Sequence, residues 1–132
     1  MTIYHLSKRF AFEAAHVLPR HDGKCARLHG HSWRGELWVR GDALQALGAQ
    51  SGMLIDYSQL SAFLDPLVAQ YLDHYYLNES IPDPAVAAAP TSELLAWWIL
   101  REARAYFAGL VPRVEVLKVV IEETCTSRCE AM

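Results

Sequence analysis

The sequence predicts an α+β fold, an antiparallel sheet with helices on one face. Three observations carry this. Residues 2–16 and 30–41 alternate apolar and polar side chains, the period of a strand with one buried face. Residues 56–75 and about 91–107 space their apolar residues as an amphipathic helix does. Residues 113–123 return to strand period, so the order is strand, strand, helix, helix, strand. One further short strand is expected without a definite place.

In the first run, Tyr4, Leu6, Phe10, Phe12, Ala14 and His16 share a face that Lys8 interrupts. The segment LPRHDGKCAR follows as a loop, punctuated by Pro19 and Gly23. In GHSWRGELWVRG, His31, Trp33, Leu37 and Val39 lie on one face, and Ser32, Arg34, Glu36 and Arg40 mostly on the other. The first helical run carries Tyr57, Leu60, Leu64, Leu67, Tyr71 and Tyr75 on one side. Asp56 is its candidate N-cap, with Gln59 three residues on as in a capping box. Pro66 should kink or divide it. SIPDPAVAAAP reads as a loop. The second helix starts at the candidate N-cap Thr91 and ends before Gly109 and Pro112. The last strand, RVEVLKVVIEE, puts Leu117, Val119, Ile121 and Glu123 on one face. The tail after Cys129 carries no readable signal.

At 132 residues and 52% hydrophobic, residues 1–132 suit one domain with one core. There is no internal repeat and no apolar run long enough for a membrane span. MTIYHLSKRF lacks the apolar core of a secretion signal. Three cysteines without framework spacing suit a reducing, cytoplasmic compartment. Net charge is −3, unevenly spread: residues 1–40 carry seven Lys/Arg and three Asp/Glu, and the remainder five and twelve. That gives +4 and −7, so an anionic ligand would favour the first third. No basic run interleaved with aromatics points to nucleic acid.

The chemistry concentrates in CARLHGH, residues 25–31. His29 and His31 are two apart, so on a strand both imidazoles project the same way. His16 ends the preceding strand on its apolar face. If the two strands pair, three imidazoles converge, and three histidines with an open position make a catalytic zinc arrangement. Cys25 either closes that site as a fourth ligand or acts beside it as base or nucleophile. His5 and His21 have no assigned role, and Cys125 and Cys129 have no matching pair that would make them ligands.

Two more places stand out. LDHYYLN sets Asp73 next to His74, a pair able to relay a proton to or from a thiol. Adjacent residues do not face each other on a helix, so the chain must have left the helix there. In IEETCT, a carboxylate closes an apolar stripe and could accept two parallel N–H bonds from a guanidine-like edge. Periodicity alone does not choose between Glu122 and Glu123.

FEAAH, CARLHGHSW, GMLIDYSQL, LDHYYLN, PTSELLAWW and EETCTSRC occur in this order along nearly the whole chain. Together they resemble the 6-pyruvoyl-tetrahydropterin synthase family, most closely its bacterial, carboxy-forming branch in queuosine biosynthesis. The resemblance implies the tunnelling fold, with sheets joined into an oligomeric barrel, a homohexamer built as a dimer of trimers, and active sites between subunits. It implies a Zn2+ cofactor on His16, His29 and His31, and Cys25 as catalytic base with Asp73 and His74 as the pair that tunes it. It implies Glu123, rather than Glu122, as the carboxylate gripping the pterin, with Thr91 and Ser92 lining the pocket. The implied substrate is 7,8-dihydroneopterin triphosphate, and the implied products are 6-carboxy-tetrahydropterin, acetaldehyde and triphosphate. Lys8, Arg9, Lys24 and Arg27 suit the triphosphate. Two other readings are a 6-pyruvoyl-tetrahydropterin synthase that eliminates only triphosphate, and a zinc- or pterin-binding module without turnover.

Overall fold

The computed structural model describes residues 1–132. Two long strands, β1 (Tyr4–His16) and β2 (His29–Gly41), pair antiparallel along their whole length, from Tyr4↔Gly41 to His16↔His29. Their alternation has the expected consequence: Phe12, Trp33, Leu37 and Val39 are buried on one face. On the other face Glu13 accepts a hydrogen bond from Ser32, at 2.7 Å.

The helices α1 (Tyr57–Leu67) and α4 (Ser92–Ala108) cover the apolar face. Leu60 and Leu64 from α1, and Leu95, Trp98, Ile99 and Phe107 from α4, join Phe12, Trp33 and Ile121 in one core cluster. Asp56 caps α1 by accepting the Ser58 N–H at 2.8 Å. The capping box does not close, because the Gln59 side-chain oxygen is buried without a partner. Helix α1 runs through Pro66, and the division comes after it, where residues Val68–Leu72 form a π-turn. Thr91 caps α4 as expected, its hydroxyl accepting the Leu94 N–H at 3.1 Å.

Strands β4 (Glu115–Thr124) and β5 (Ser127–Ala131) complete the sheet together with a two-residue strand, β3 (Tyr75–Tyr76). The strand order is β3-β1-β2-β4-β5. The sheet is therefore mixed rather than antiparallel, because β3 runs parallel to β1 through Ala14↔Tyr75 and Ala15↔Tyr76. Two residues are too few to show an alternation, so sequence period could not announce this strand.

Three further expectations need correction. SIPDPAVAAAP is not all loop: α2 (Leu77–Ser80) ends on its first residue and α3 (Pro84–Ala88) lies inside it. Asp83 caps α3 through the Ala85 and Val86 N–H groups, and Pro84 takes the first turn, where its missing N–H costs nothing. The tail is a strand, with Cys129 opposite Ile121 and packed on the core. Finally, a bulge where β4 passes Trp38/Val39 shifts the apolar stripe, so Val116 joins the core in place of Leu117.

Candidate metal centre and adjoining grooves

The pairing of β1 with β2 sets His16 directly opposite His29, and His31 opposite Ala14. The ring centroids lie 4.5 Å apart for His16–His29, 5.2 Å for His16–His31 and 4.9 Å for His29–His31. One ring nitrogen of each lies within 4.8 Å of the others, so this group could hold a metal ion. Trp33 backs the cluster, 5.0 Å from His16 and 5.3 Å from His31, and is locked by its indole N–H donating to the Ala14 carbonyl.

Hydrogen bonds fix which nitrogens are free. His16 Nδ1 lies 2.8 Å from the Pro90 carbonyl, and His29 Nδ1 lies 2.7 Å from the Arg27 carbonyl. A carbonyl only accepts, so each Nδ1 carries the proton and each Nε2 keeps its lone pair. Backbone partners that hold a ligand imidazole in this way are usual at metal sites. His16 Nε2 and His31 Nε2 are buried without a hydrogen-bond partner. Burial is the main cause lowering the His16 and His31 imidazoles below their ordinary range. Neutral rings with orphaned, converging lone pairs fit a divalent cation with a preference for imidazole.

Glu123 turns toward this cluster, its Oε1 lying 3.5 Å from His16 Nε2 and 3.8 Å from His31 Nε2. Glu123 also sits at a backbone irregularity. The β4–β5 register runs Glu122↔Arg128 and then Thr124↔Ser127, so Glu123 is the extra residue of a bulge. Glu122 is bonded by Arg128 at 3.3 Å and lines one groove together with Glu123. Of the two carboxylates that periodicity left open, it is Glu123 whose oxygen lies within 3.8 Å of both His16 and His31.

Two grooves flank His31. One, of about 410 Å³, is lined by Arg34, Glu123, Thr124 and Cys125 among others. The other, of about 510 Å³, is lined by Glu13, Ser32, His74 and Tyr76 among others. His74 Nδ1 lies 3.0 Å from Asp73 Oδ2, and the chain has left the helix here, as the pair requires. The π-turn ends in the Asp73 N–H donating to the Val68 carbonyl at 2.8 Å. Asp73 Oδ1 accepts the Glu13 N–H at 2.9 Å, and the His74 N–H donates to the Glu13 carbonyl. The Glu13 N–H, followed by the His74 contact, holds the Asp73 carboxyl below its usual range. His74 has φ 64°, a left-handed backbone uncommon for a residue with a Cβ.

Cys25 sits in a 3-10 turn, Lys24–Ala26, as a free, half-buried thiol. Its carbonyl accepts the Leu18 N–H at 2.9 Å, which closes the loop between β1 and β2. Within one chain no hydrogen bond joins Cys25 to Asp73 or His74. Thr91 and Ser92 lie beside the cluster through Pro90, but their hydroxyls are engaged, with the Leu94 N–H and with Glu93. Sequence reasoning passed over the Pro90 carbonyl, which carries no side-chain signal, and Trp33, which read only as core.

Comparison with known proteins agrees with this fold. The family profile described as 6-pyruvoyl tetrahydropterin synthase matches residues 5–132. A Synechocystis protein described as 6-carboxy-5,6,7,8-tetrahydropterin synthase is 52% identical over 91% of this chain and 86% of its own. A Bacillus subtilis protein of the same description is 33% identical over 96% of this chain and 83% of its own. The structure of 6-pyruvoyl tetrahydropterin synthase from Caenorhabditis elegans superposes with a TM-score of 0.79, covering 99% of this chain and 96% of that one at 24% identity, a likeness of fold. The chain belongs to the 6-pyruvoyl tetrahydropterin synthase family.

Proposed function

We propose that the protein is a zinc-dependent lyase that converts 7,8-dihydroneopterin triphosphate and one water to 6-carboxy-5,6,7,8-tetrahydropterin, acetaldehyde and triphosphate, in queuosine biosynthesis. The observation that carries this reading is the junction of the three-histidine cluster with Glu123, two chemistries meeting at one groove. The names of the Synechocystis and Bacillus relatives support the carboxy-forming branch.

His16, His29 and His31 hold Zn2+, with the Pro90 and Arg27 carbonyls fixing the tautomers of the first two. Bound zinc supplies Lewis acidity that makes the substrate's side-chain hydroxyls easier to deprotonate. Glu123 accepts two parallel N–H bonds from the amino-pyrimidine edge of the pterin, which orients the side chain toward the histidines. Thr91 and Ser92 line the pterin pocket. Cys25 removes a proton from the side chain, and the Asp73–His74 pair tunes and relays it. Triphosphate leaves, one water adds to the side-chain carbonyl carbon that becomes the carboxylate, and the carbon–carbon bond beside it breaks in a retro-aldol manner to release acetaldehyde. Lys8, Arg9, Lys24 and Arg27 provide the positive field for the triphosphate.

Residues 1–132 act as one pterin synthase domain, as a homohexamer in the cytoplasm. No helix is long and apolar enough to cross a membrane. The outer edge of β1 has a partner only at Ala14–Ala15, and β5 is an edge strand. Such edges favour strand addition between subunits, the joint that makes a barrel. A site between subunits also accounts for a Cys25 that does not meet His74 within its own chain.

The test is product analysis of the zinc-loaded protein given 7,8-dihydroneopterin triphosphate. Acetaldehyde in equal amount with a carboxy-pterin is the expected result. Triphosphate with a pyruvoyl-pterin and no acetaldehyde would move the protein to the other branch. No turnover with metal bound would leave a binding module.

A further inference from the structure

We propose that Asn78 is a positioning residue that sets the root of the Cys25 loop. The side-chain amide of Asn78 makes two hydrogen bonds to one residue of β1's outgoing chain. Oδ1 accepts the Val17 N–H and Nδ2 donates to the Val17 carbonyl, both at 2.9 Å. This is the pair of bonds a neighbouring strand would give. Strand β3 stops at Tyr76, where the chain turns into α2, and Asn78 supplies one more rung in its place.

That rung sits between the reactive groups. Val17 follows His16 directly, and the next residue, Leu18, donates its N–H to the Cys25 carbonyl. Residues 73–78 therefore grip β1 in succession: Asp73 and His74 on Glu13, Tyr75 and Tyr76 on Ala14 and Ala15, Asn78 on Val17. The element that presents His74 also sets where the Cys25 loop departs. His16 has a second tether, its ring bonded to Pro90, whereas Cys25 has the Leu18 bond alone at this end. Losing Asn78 thus moves Cys25 more than it moves His16.

The catalytic part of this inference rests on the function proposed above, so the test includes readouts that do not. Zinc-loaded wild type, Asn78→Ala and Asn78→Asp would be compared for turnover, for zinc affinity by chelator competition, and for the rate of Cys25 alkylation by iodoacetamide. Peptide mass spectrometry would resolve Cys25 from Cys125 and Cys129. A small displacement of a reacting group costs up to about 100-fold in rate. In Asn78→Ala we expect kcat to fall about 30-fold or more, KM to change less than about 3-fold, and Cys25 alkylation to change at least about 5-fold at each pH. Zinc affinity should change less than about 10-fold, the low end for losing a group behind a ligand. Asn78→Asp, which keeps the acceptor for Val17 N–H, should fall between. Unchanged Cys25 alkylation in a folded Asn78→Ala protein overturns the proposal, whatever turnover does. So does failure of both variants to fold, because the side chain would then hold the domain rather than the loop. If wild type does not turn over the pterin triphosphate but Cys25 alkylation responds as expected, the clamp stands and the reaction assignment falls.

Discussion

His74 combines a left-handed backbone, φ 64°, with a side chain that is 78% exposed. The two facts predict an inverted order of stability. Replacing His74 by Ala or by Gly removes the same contact with Asp73, so that loss cancels between the variants. Both keep the backbone N–H that donates to the Glu13 carbonyl. What remains is the Cβ. A residue with a Cβ in the left-handed region costs roughly 1–2 kcal/mol, and glycine relieves it. Glycine also gives the unfolded chain more freedom, at a cost of about 0.4–1 kcal/mol. The balance favours His74→Gly over His74→Ala by about 0.5–1 kcal/mol, a shift of a few degrees in Tm for a chain of this size. At ordinary loop or helix positions the order is the reverse.

Urea unfolding of the metal-free protein would measure the difference, with all proteins at one protomer concentration because assembly and ligands shift apparent stability. Turnover is the second readout. If His74 works on the thiol, both variants lose about 100-fold or more in kcat, including the more stable glycine variant. An alanine variant as stable as the glycine one, or more so, would refute the claim that strain is stored at this residue.

Glu123→Gln keeps the side chain's shape but cannot accept two N–H bonds; pterin binding by titration calorimetry should weaken about 10- to 100-fold, the scale of a hydrogen bond to a charged group, with zinc affinity little changed. The imidazoles of His16 and His31 are lowered by burial, so the unfolded chain binds protons where the folded one does not. Metal-free stability should therefore be level above about pH 7 and fall as pH drops through 6.5, and added zinc should oppose that fall; a metal-free Tm rising on acidification across this range would contradict it. Gly35→Ala would drive a Cβ into the Phe10 ring. Overpacking of that kind costs about 1–3 kcal/mol, and Phe10→Leu in the same chain should recover part of it in a double-mutant cycle of urea midpoints.

What the sequence made legible was what regular period encodes. Alternation in residues 4–16 and 30–41 located Phe12, Trp33, Leu37 and Val39 in the core, and the same alternation aligned His29 with His31. Pairing of adjacent strands then brought in His16. The helix caps Asp56 and Thr91 were legible because the backbone N–H groups of a first turn select a few residue types. Period failed where the backbone departs from it. One bulge moved Leu117 out of the stripe that Val116 joins. The parallel strand Tyr75–Tyr76 is held by bonds from Asp73, His74 and Asn78 to β1, contacts made across some sixty residues of sequence that no local window contains. The Pro90 carbonyl behind His16 is backbone, and backbone acceptors leave no mark in a sequence.

Several departures from regular geometry gather near the histidine cluster. A bulge carries Glu123, a π-turn delivers Asp73, a left-handed backbone presents His74, and two buried nitrogens without partners belong to His16 and His31. Bulges and π-turns gather at functional sites because each re-aims a side chain that regular repeats would send elsewhere. In this chain they have a division of labour. The regular strand pair places the histidines, whose mutual spacing must suit one ion. The irregular segments place Glu123, Asp73 and His74 beside the grooves that flank His31. A regular helix through residue 74 would turn Asp73 and His74 apart. Local consistency is given up at the points where chemistry needs a direction, and the continuous core of β1, β2, α1 and α4 is what makes that tolerable.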